Sequence, residues 1–244
     1  MSASVCRRLL AELVGTALLV AVVVGSGIAA QQLSPTDVGL QLLENSTATV
    51  LGLSVLILLF GPVSGAHFNP VVSAADWLLG RHAGTGLRPA EVAAYTLAQC
   101  TGAILGAWLA NVMYGLPLLQ LATKNRANPG HWLGEVVATA GLIALVFSLP
   151  RTGRAHLAPV AVGGYIGAAY WFTSSTSFAN PAVTIGRMFS DTFAGIAPTS
   201  APAFITAQLV GALLGGLLLV ALYPRALPAT TTPSPVPAVR SHDD

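Results

Sequence analysis

Charge is what this sequence has least of. Only 8% of its 244 residues are Asp, Glu, Lys or Arg, where a soluble domain carries about 25%, so the chain lacks the polar groups to wet a globular surface. Cysteine is scarcer: Cys6 lies near the start and Cys100 inside an apolar run. Two such residues exclude a disulfide framework, and Cys100 reads as packing. No second ligand is spaced to join His67, so no metal is expected. A net charge of +2 offers little to nucleic acid, and neither a nucleic-acid partner nor a cofactor is expected.

What the chain has in quantity is apolar length. Its residues are 54% hydrophobic, gathered into runs at 9–30, 42–60, 92–114, 132–149, 158–172 and 202–222. Most approach the roughly 20 residues that cross about 30 Å of hydrocarbon, so six spans in a lipid bilayer are predicted. The first run reads as a retained helix rather than a signal peptide, because it is long, contains Glu12 and has no clear small-residue cleavage site. If the runs alternate in direction, Arg7, Arg8, Arg81, Arg88, Arg151, Arg154, Arg225 and Arg240 share one side, with Lys124, Arg126 and Arg187 on the other. The positive-inside rule then puts both termini in the cytoplasm. The Pro/Thr-rich tail, 223–244, reads as disordered.

The sequence also repeats. AELVGTALLV from Ala11 resembles GEVVATAGLI from Gly134, which pairs Glu12 with Glu135 and Thr16 with Thr139. AQCTGAILGA from Ala98 resembles AQLVGALLGG from Ala207, which pairs Gln99 with Gln208. Within each half sits an Asn-Pro motif: GAHFNPVVS at 65–73 and SFANPAVT at 177–184. The expected layout is one domain over 1–222, built from a repeat at about 8–115 and another at 131–222. Three spans per repeat is an odd number, so the second repeat must lie inverted, an arrangement that places a pathway's site at the midplane.

Each Asn-Pro motif opens a short apolar run, 69–79 and 180–189. Asn is a favoured helix cap and Pro suits the first helical position. About eleven helical residues rise roughly 16 Å, half the hydrocarbon thickness. Inversion brings two such half-helices in from opposite faces, so that Asn69, Pro70 and Val71 meet Asn180, Pro181 and Ala182. Two helix starts there present free N–H groups and positive dipole ends. A water held by both asparagine amides turns its lone pairs toward them, which breaks a proton wire, and the same field repels protons and cations. Such a centre suits small neutral molecules that carry a hydrogen-bonding oxygen.

Other residues have quieter readings. Glu12 and Glu135 cost about 2.5–3.5 kcal/mol each at a bilayer centre, and their equivalence in the two halves points to bracing the buried lead-in loops, with Gln99 and Gln208 as further polar supports. Gly102 with Gly106, Gly163 with Gly167 and Gly211 with Gly215 allow close helix approach. His67 is placed at the cytoplasmic mouth. Asp76 and Asp191 read as a local ion pair or cap. A third Asn-Pro, Asn128-Pro129, has no repeat partner and reads as a loop turn.

The paired Asn-Pro motifs, SGAHFNP before the first, and the Glu-helix and Gln-helix repeats resemble the aquaporin, or major intrinsic protein, family over about residues 8–222. The resemblance implies an all-α membrane fold of six transmembrane helices and two re-entrant half-helices, a homotetramer with one pore per subunit, and passage of water and small neutral solutes. It also implies a selectivity filter, and there the chain departs. The family's arginine directly after the second motif is replaced by Val183, and the first motif reads Asn-Pro-Val. Arg187, one turn on, points away from the half-helix start and is not expected to substitute. Matching helix patterns to bacterial water channels places Leu51 and Tyr170 at the filter, with Ser177 and Val183 completing it. Counting back from the motifs without gaps selects Thr49 and Ala168 instead; the symmetric shortening of both lead-in loops favours Leu51 and Tyr170. A filter without fixed charge implies relaxed selectivity toward glycerol or arsenous acid, since similar arginine-lacking bacterial aquaporins are associated with arsenic-resistance loci.

Two other classes stand beside this reading. A coupled secondary transporter also uses inverted repeats and broken helices, but the half-helix starts offer donors and no carboxylate for a coupling ion. A membrane enzyme would need a Ser-His, Cys-His or carboxylate pair at the midplane, and none is placed there. The expectation is a non-enzymatic channel in a bacterial inner membrane.

Overall fold

A backbone in hydrocarbon must satisfy its hydrogen bonds within its own segment, and each apolar run is accordingly a helix. The structure, a computed structural model, describes residues 3–81 and 84–224. In chain order the helices are α1 (Val5–Leu33), α2 (Val38–Ser64), α3 (Pro70–Gly80), α4 (Pro89–Met113), α5 (Pro129–Arg151), α6 (Ala158–Phe172), α7 (Pro181–Arg187) and α8 (Ala201–Leu222). Five of them are long and apolar enough to cross a membrane. The sixth crossing, α6, has only 15 residues, but the 3₁₀ turn Ala155–Leu157 leads straight into it. Together they rise about 28 Å, close to the hydrocarbon thickness. Most of the expected tail, from residue 225 on, and with it Arg225 and Arg240, lies outside the described residues.

Local chemistry sets the helix ends. Asp37 caps α2 by accepting from the Leu40 N–H at 2.9 Å, and Gly65 ends it with φ 91°, a left-handed value that glycine adopts without strain. Asn128 is not a loop turn. Its Oδ1 accepts from the His131 N–H at 2.8 Å, and Pro129 takes the first helical position, so this Asn-Pro starts a full-length helix by the same capping chemistry as the other two.

The two halves pack alike. α1 lies against α4 and α2, and α5 lies against α8 and α6. At the α1–α4 crossing a Cβ on Gly102 or Gly106 would run into the carbonyl oxygens of Leu13 and Ala17. At the α5–α8 crossing Gly211 and Gly215 stand in the same relation to the carbonyls of Val136 and Ala140. Missing Cβ atoms therefore let backbones touch at equivalent points in both repeats. Across the halves α2 meets α6, α7 seats mainly on α4 of the other repeat, and α3 packs between α4 of its own repeat and α8 of the other. This exchange holds the two half-helices end to end at the centre.

Candidate functional site

The site begins with strained backbone. Ala66 and Phe68 in the first lead-in loop, and Ser177 and Ala179 in the second, have φ of 47–49°, where a non-glycine residue costs of order 1–3 kcal/mol. The conformation turns consecutive N–H groups outward onto one acceptor. Glu12, fully buried on α1, accepts from the N–H groups of His67 at 3.0 Å and Phe68 at 2.7 Å. Glu135, its counterpart on α5, accepts from Phe178 and Ala179, both at 2.8 Å. Hydrogen bonds to a charged acceptor contribute about 1.5–3 kcal/mol each, so two such bonds per loop offset much of the strain of two left-handed residues in the first loop and of three, with Thr176, in the second.

The glutamines complete the brace. Gln99 Nε2 donates to Glu12 at 2.8 Å and to Ser73 Oγ at 3.0 Å; Gln208 Nε2 donates to Glu135 at 2.6 Å and to Thr184 Oγ1 at 2.9 Å. Ser73 and Thr184 in turn donate to the carbonyls of Asn69 and Asn180. Each half-helix start is thus tied to its own Glu-helix and Gln-helix. With the N–H groups so engaged, the carbonyls of Ala66, His67, Ser177 and Phe178 have no protein donor among the described residues, on loops that line the cavity described below.

At the centre the asparagines cap their own helices and hold each other's loops. Asn69 Oδ1 accepts from the Val71 N–H at 3.1 Å, and Asn180 Oδ1 accepts from those of Ala182 at 2.9 Å and Val183 at 3.2 Å. Asn69 Nδ2 donates to the Ala179 carbonyl at 2.8 Å, and Asn180 Nδ2 donates to the Phe68 carbonyl, also at 2.8 Å. Each amide keeps a second hydrogen. Pro70, Val71, Pro181 and Ala182 are buried behind them as the first turns of the two half-helices.

A cavity of about 280 Å³ runs past this point. One wall is aliphatic, made by Leu19 and Val23 of α1, Leu142 and Val146 of α5, and Ile57 and Ile166 from α2 and α6. The other is polar, formed by the two loops and the two asparagines. His67 lines its inner part, with Nδ1 3.1 Å from Ser73 Oγ. Asp76 stands at that end and accepts from the Leu87 N–H at 2.7 Å. Asp191 accepts from Thr123 at 2.8 Å. Both aspartates tie loops. Among the described residues no three His, Cys, Asp or Glu side chains gather as a metal site would need.

The opposite end corrects two expectations. Leu51 is 63% exposed on the outer face of α2 and lines no part of the cavity. Thr49, 2% exposed, lines it instead, with Oγ1 3.3 Å from the Tyr170 hydroxyl. The structure therefore brings together Thr49, Tyr170, Ser177 and Val183. The missed signal was a polar stripe, Gln41, Asn45 and Thr49, at helical spacing on the buried face of α2; polar groups in a membrane helix face the bundle. Arg187 also differs from expectation. It is 1% exposed and lines the cavity, because a helical side chain leans toward the helix start and not away from it.

Three cations surround this end. Lys124 Nζ donates to the Phe193 carbonyl at 3.0 Å, Arg126 Nε to that of Gly195 at 2.9 Å, and Arg187 Nε to that of Ala194. Lys124, though exposed along its stem, lays its ammonium over the Phe193 ring at 4.8 Å. That desolvation, with Arg126 and Arg187 nearby, lowers its pKa to about 8. Burial likewise lowers Arg126, to about 10.

Six crossings, two half-helices meeting start to start, and a cavity passing between them define a multi-pass membrane channel. The Major intrinsic protein family matches residues 1–177, and the chain belongs to that family. It is 48% identical over 229 residues to aquaglyceroporin AqpS of Rhizobium meliloti, covering 94% of this chain and 95% of that one. It is 30% identical to a glycerol uptake facilitator protein of Pseudomonas aeruginosa, over 95% and 94% of the two chains. An aquaglyceroporin structure from Plasmodium falciparum shares the fold, with a TM-score of 0.63 at 20% identity over 90% of this chain and 96% of that one.

Proposed function

We propose that the chain is a passive channel, and not an enzyme, for water and small neutral solutes of glycerol size. It works as a homotetramer in a bacterial plasma membrane, with both termini in the cytoplasm. The observation that carries this reading is the reciprocal pairing of Asn69 and Asn180 across a continuous cavity. A solute there meets amide hydrogens and loop carbonyls on one side and aliphatic surface on the other, which matches the two faces of a polyol. The names of the Rhizobium and Pseudomonas relatives favour glycerol. The filter assigned here is Thr49, Tyr170, Ser177 and Val183, with Leu51 outside it. Glu12, Glu135, Gln99 and Gln208 hold the loops, and His67 marks the cytoplasmic mouth.

Stopped-flow light scattering on proteoliposomes tests the reading. Water and glycerol are expected to cross faster than in empty vesicles, at rates that do not follow an imposed proton or sodium gradient. Arsenous acid, a neutral oxygen-rich solute of similar size, is expected to enter too. Flux that tracks the ion gradient would make the protein a coupled transporter, and rates equal to empty vesicles would end the channel reading.

A further inference from the structure

The outer end of the cavity holds a cation that the motif after Asn180 does not announce. Val183 stands where an uncharged wall is left, and Arg187 is four residues on, about 6 Å further along α7 and about 40° around it. A helical side chain leans back toward the helix start, and an arginine is long enough to recover that turn. Its guanidinium lies over the Phe178 ring, with Cζ 3.4 Å from the centroid. Phe178 belongs to the lead-in loop beside Ser177 and is itself held edge-on by Phe204, centroids 5.1 Å apart. The guanidinium is therefore drawn back to the level of the loop that carries Ser177.

Its hydrogen bonding is unfinished. Nε donates to the Ala194 carbonyl, but among the described residues no acceptor meets the two terminal nitrogens and no carboxylate pairs with them. A guanidinium has five donors and no acceptor. Buried to 1% exposure in a cavity wall, it keeps donors that only a cavity occupant can satisfy. Ser177 Oγ, also on that wall and buried, likewise has no partner. Across the cavity the Thr49 and Tyr170 hydroxyls meet at 3.3 Å.

We propose that Arg187 supplies the cation of the outer constriction from one turn beyond Val183, and that it holds the oxygens of passing hydroxylated solutes while excluding cations. The proposal rests on the channel reading above and changes its filter from uncharged to charged. Phe178 is the platform that makes the displacement possible.

The test uses full-length protein in liposomes, with Arg187→Leu, Val183→Arg/Arg187→Leu and wild type compared for water, glycerol, sodium and proton flux. One unit charge at a desolvated constriction outweighs a factor of ten in cation passage. Arg187→Leu is expected to raise sodium or proton leak at least about tenfold, and adding Val183→Arg is expected to suppress the leak again. An Arg187→Leu channel that folds and excludes cations as wild type does would overturn the proposal. Should the variants not fold, folded wild type answers through diacetyl, a small arginine-modifying dicarbonyl, followed by peptide mass mapping. An adduct on Arg187 whose formation glycerol slows is expected; an Arg187 left unmodified in liposomes that pass glycerol would overturn the proposal. Wild type that passes neither water nor glycerol defeats the channel reading itself, a distinct result.

Discussion

Thr49 and Leu51 are two residues apart on α2, about 200° around the helix, and that angle separates a cavity wall from an outer surface. Thr49→Val removes the hydroxyl that meets Tyr170 while keeping the shape. A neutral hydrogen bond contributes about 1 kcal/mol, so the glycerol-to-water permeability ratio is expected to move roughly fivefold. Leu51→Val, on the exposed face, is expected to leave the ratio unchanged in the same vesicles. Lys124 gives a second prediction at this scale. Its pKa is lowered to about 8 from an unfolded value near 10.4, so the unfolded chain binds the proton more tightly between those limits. Stability is therefore expected to rise as pH climbs through that window. The exposed stem and solvent screening keep the effect small, and Arg126, lowered to about 10 by burial, titrates in the upper part of the same window and contributes with the same sign. Apparent melting temperatures at both ends of the window, in wild type and Lys124→Met, isolate it: the variant should show the flatter profile.

Helices and their crossings were mostly legible in the sequence, since lipid leaves the backbone no alternative and since Gly102, Gly106, Gly211 and Gly215 recur at matched places. The packing gives each a different weight. Gly106 faces the Ala17 carbonyl across the α1–α4 contact, so Gly106→Val must push two backbones apart, a cost of about 1–3 kcal/mol for an overpacked site. Gly216, one residue past Gly215, has open space where its Cβ would stand, so Gly216→Ala should be neutral or stabilising by about 0.5–1 kcal/mol. Melting of the two variants in detergent, with the first lowered and the second not, checks the difference. What the sequence did not disclose at this scale was phase. Counting along α2 from Gly52 put Leu51 inward, whereas the helix turns by the burial of Gln41, Asn45 and Thr49. The direction in which Arg187 leans was knowable from helix geometry, but its stopping point depends on Phe178 and Ala194, contacts made only in three dimensions.

For the whole molecule, the internal repeat carried most of what could be read: the inverted halves, the braces of Glu12 and Glu135, and the meeting of the Asn-Pro starts all follow from pairing two stretches of sequence. The same symmetry misdirected the filter. Treating both loops as shortened alike selected Leu51 with Tyr170, while the folded chain sets Thr49 beside Tyr170. The halves share a design at the centre and diverge at the end away from His67, where Lys124, Arg126 and Arg187 gather on carbonyls 193–195.

The crossed asparagine bonds have a consequence for biogenesis. Phe68 leaves the ribosome 112 residues before the asparagine that satisfies its carbonyl, and Asn69 waits 110 residues for Ala179. Until the second repeat is threaded into the membrane, the first holds an incomplete core at the depth where hydration is poorest. Translation that stops between the repeats would thus release a product marked at its centre as unfinished, the kind of defect that membrane quality control detects and that no surface repair can hide.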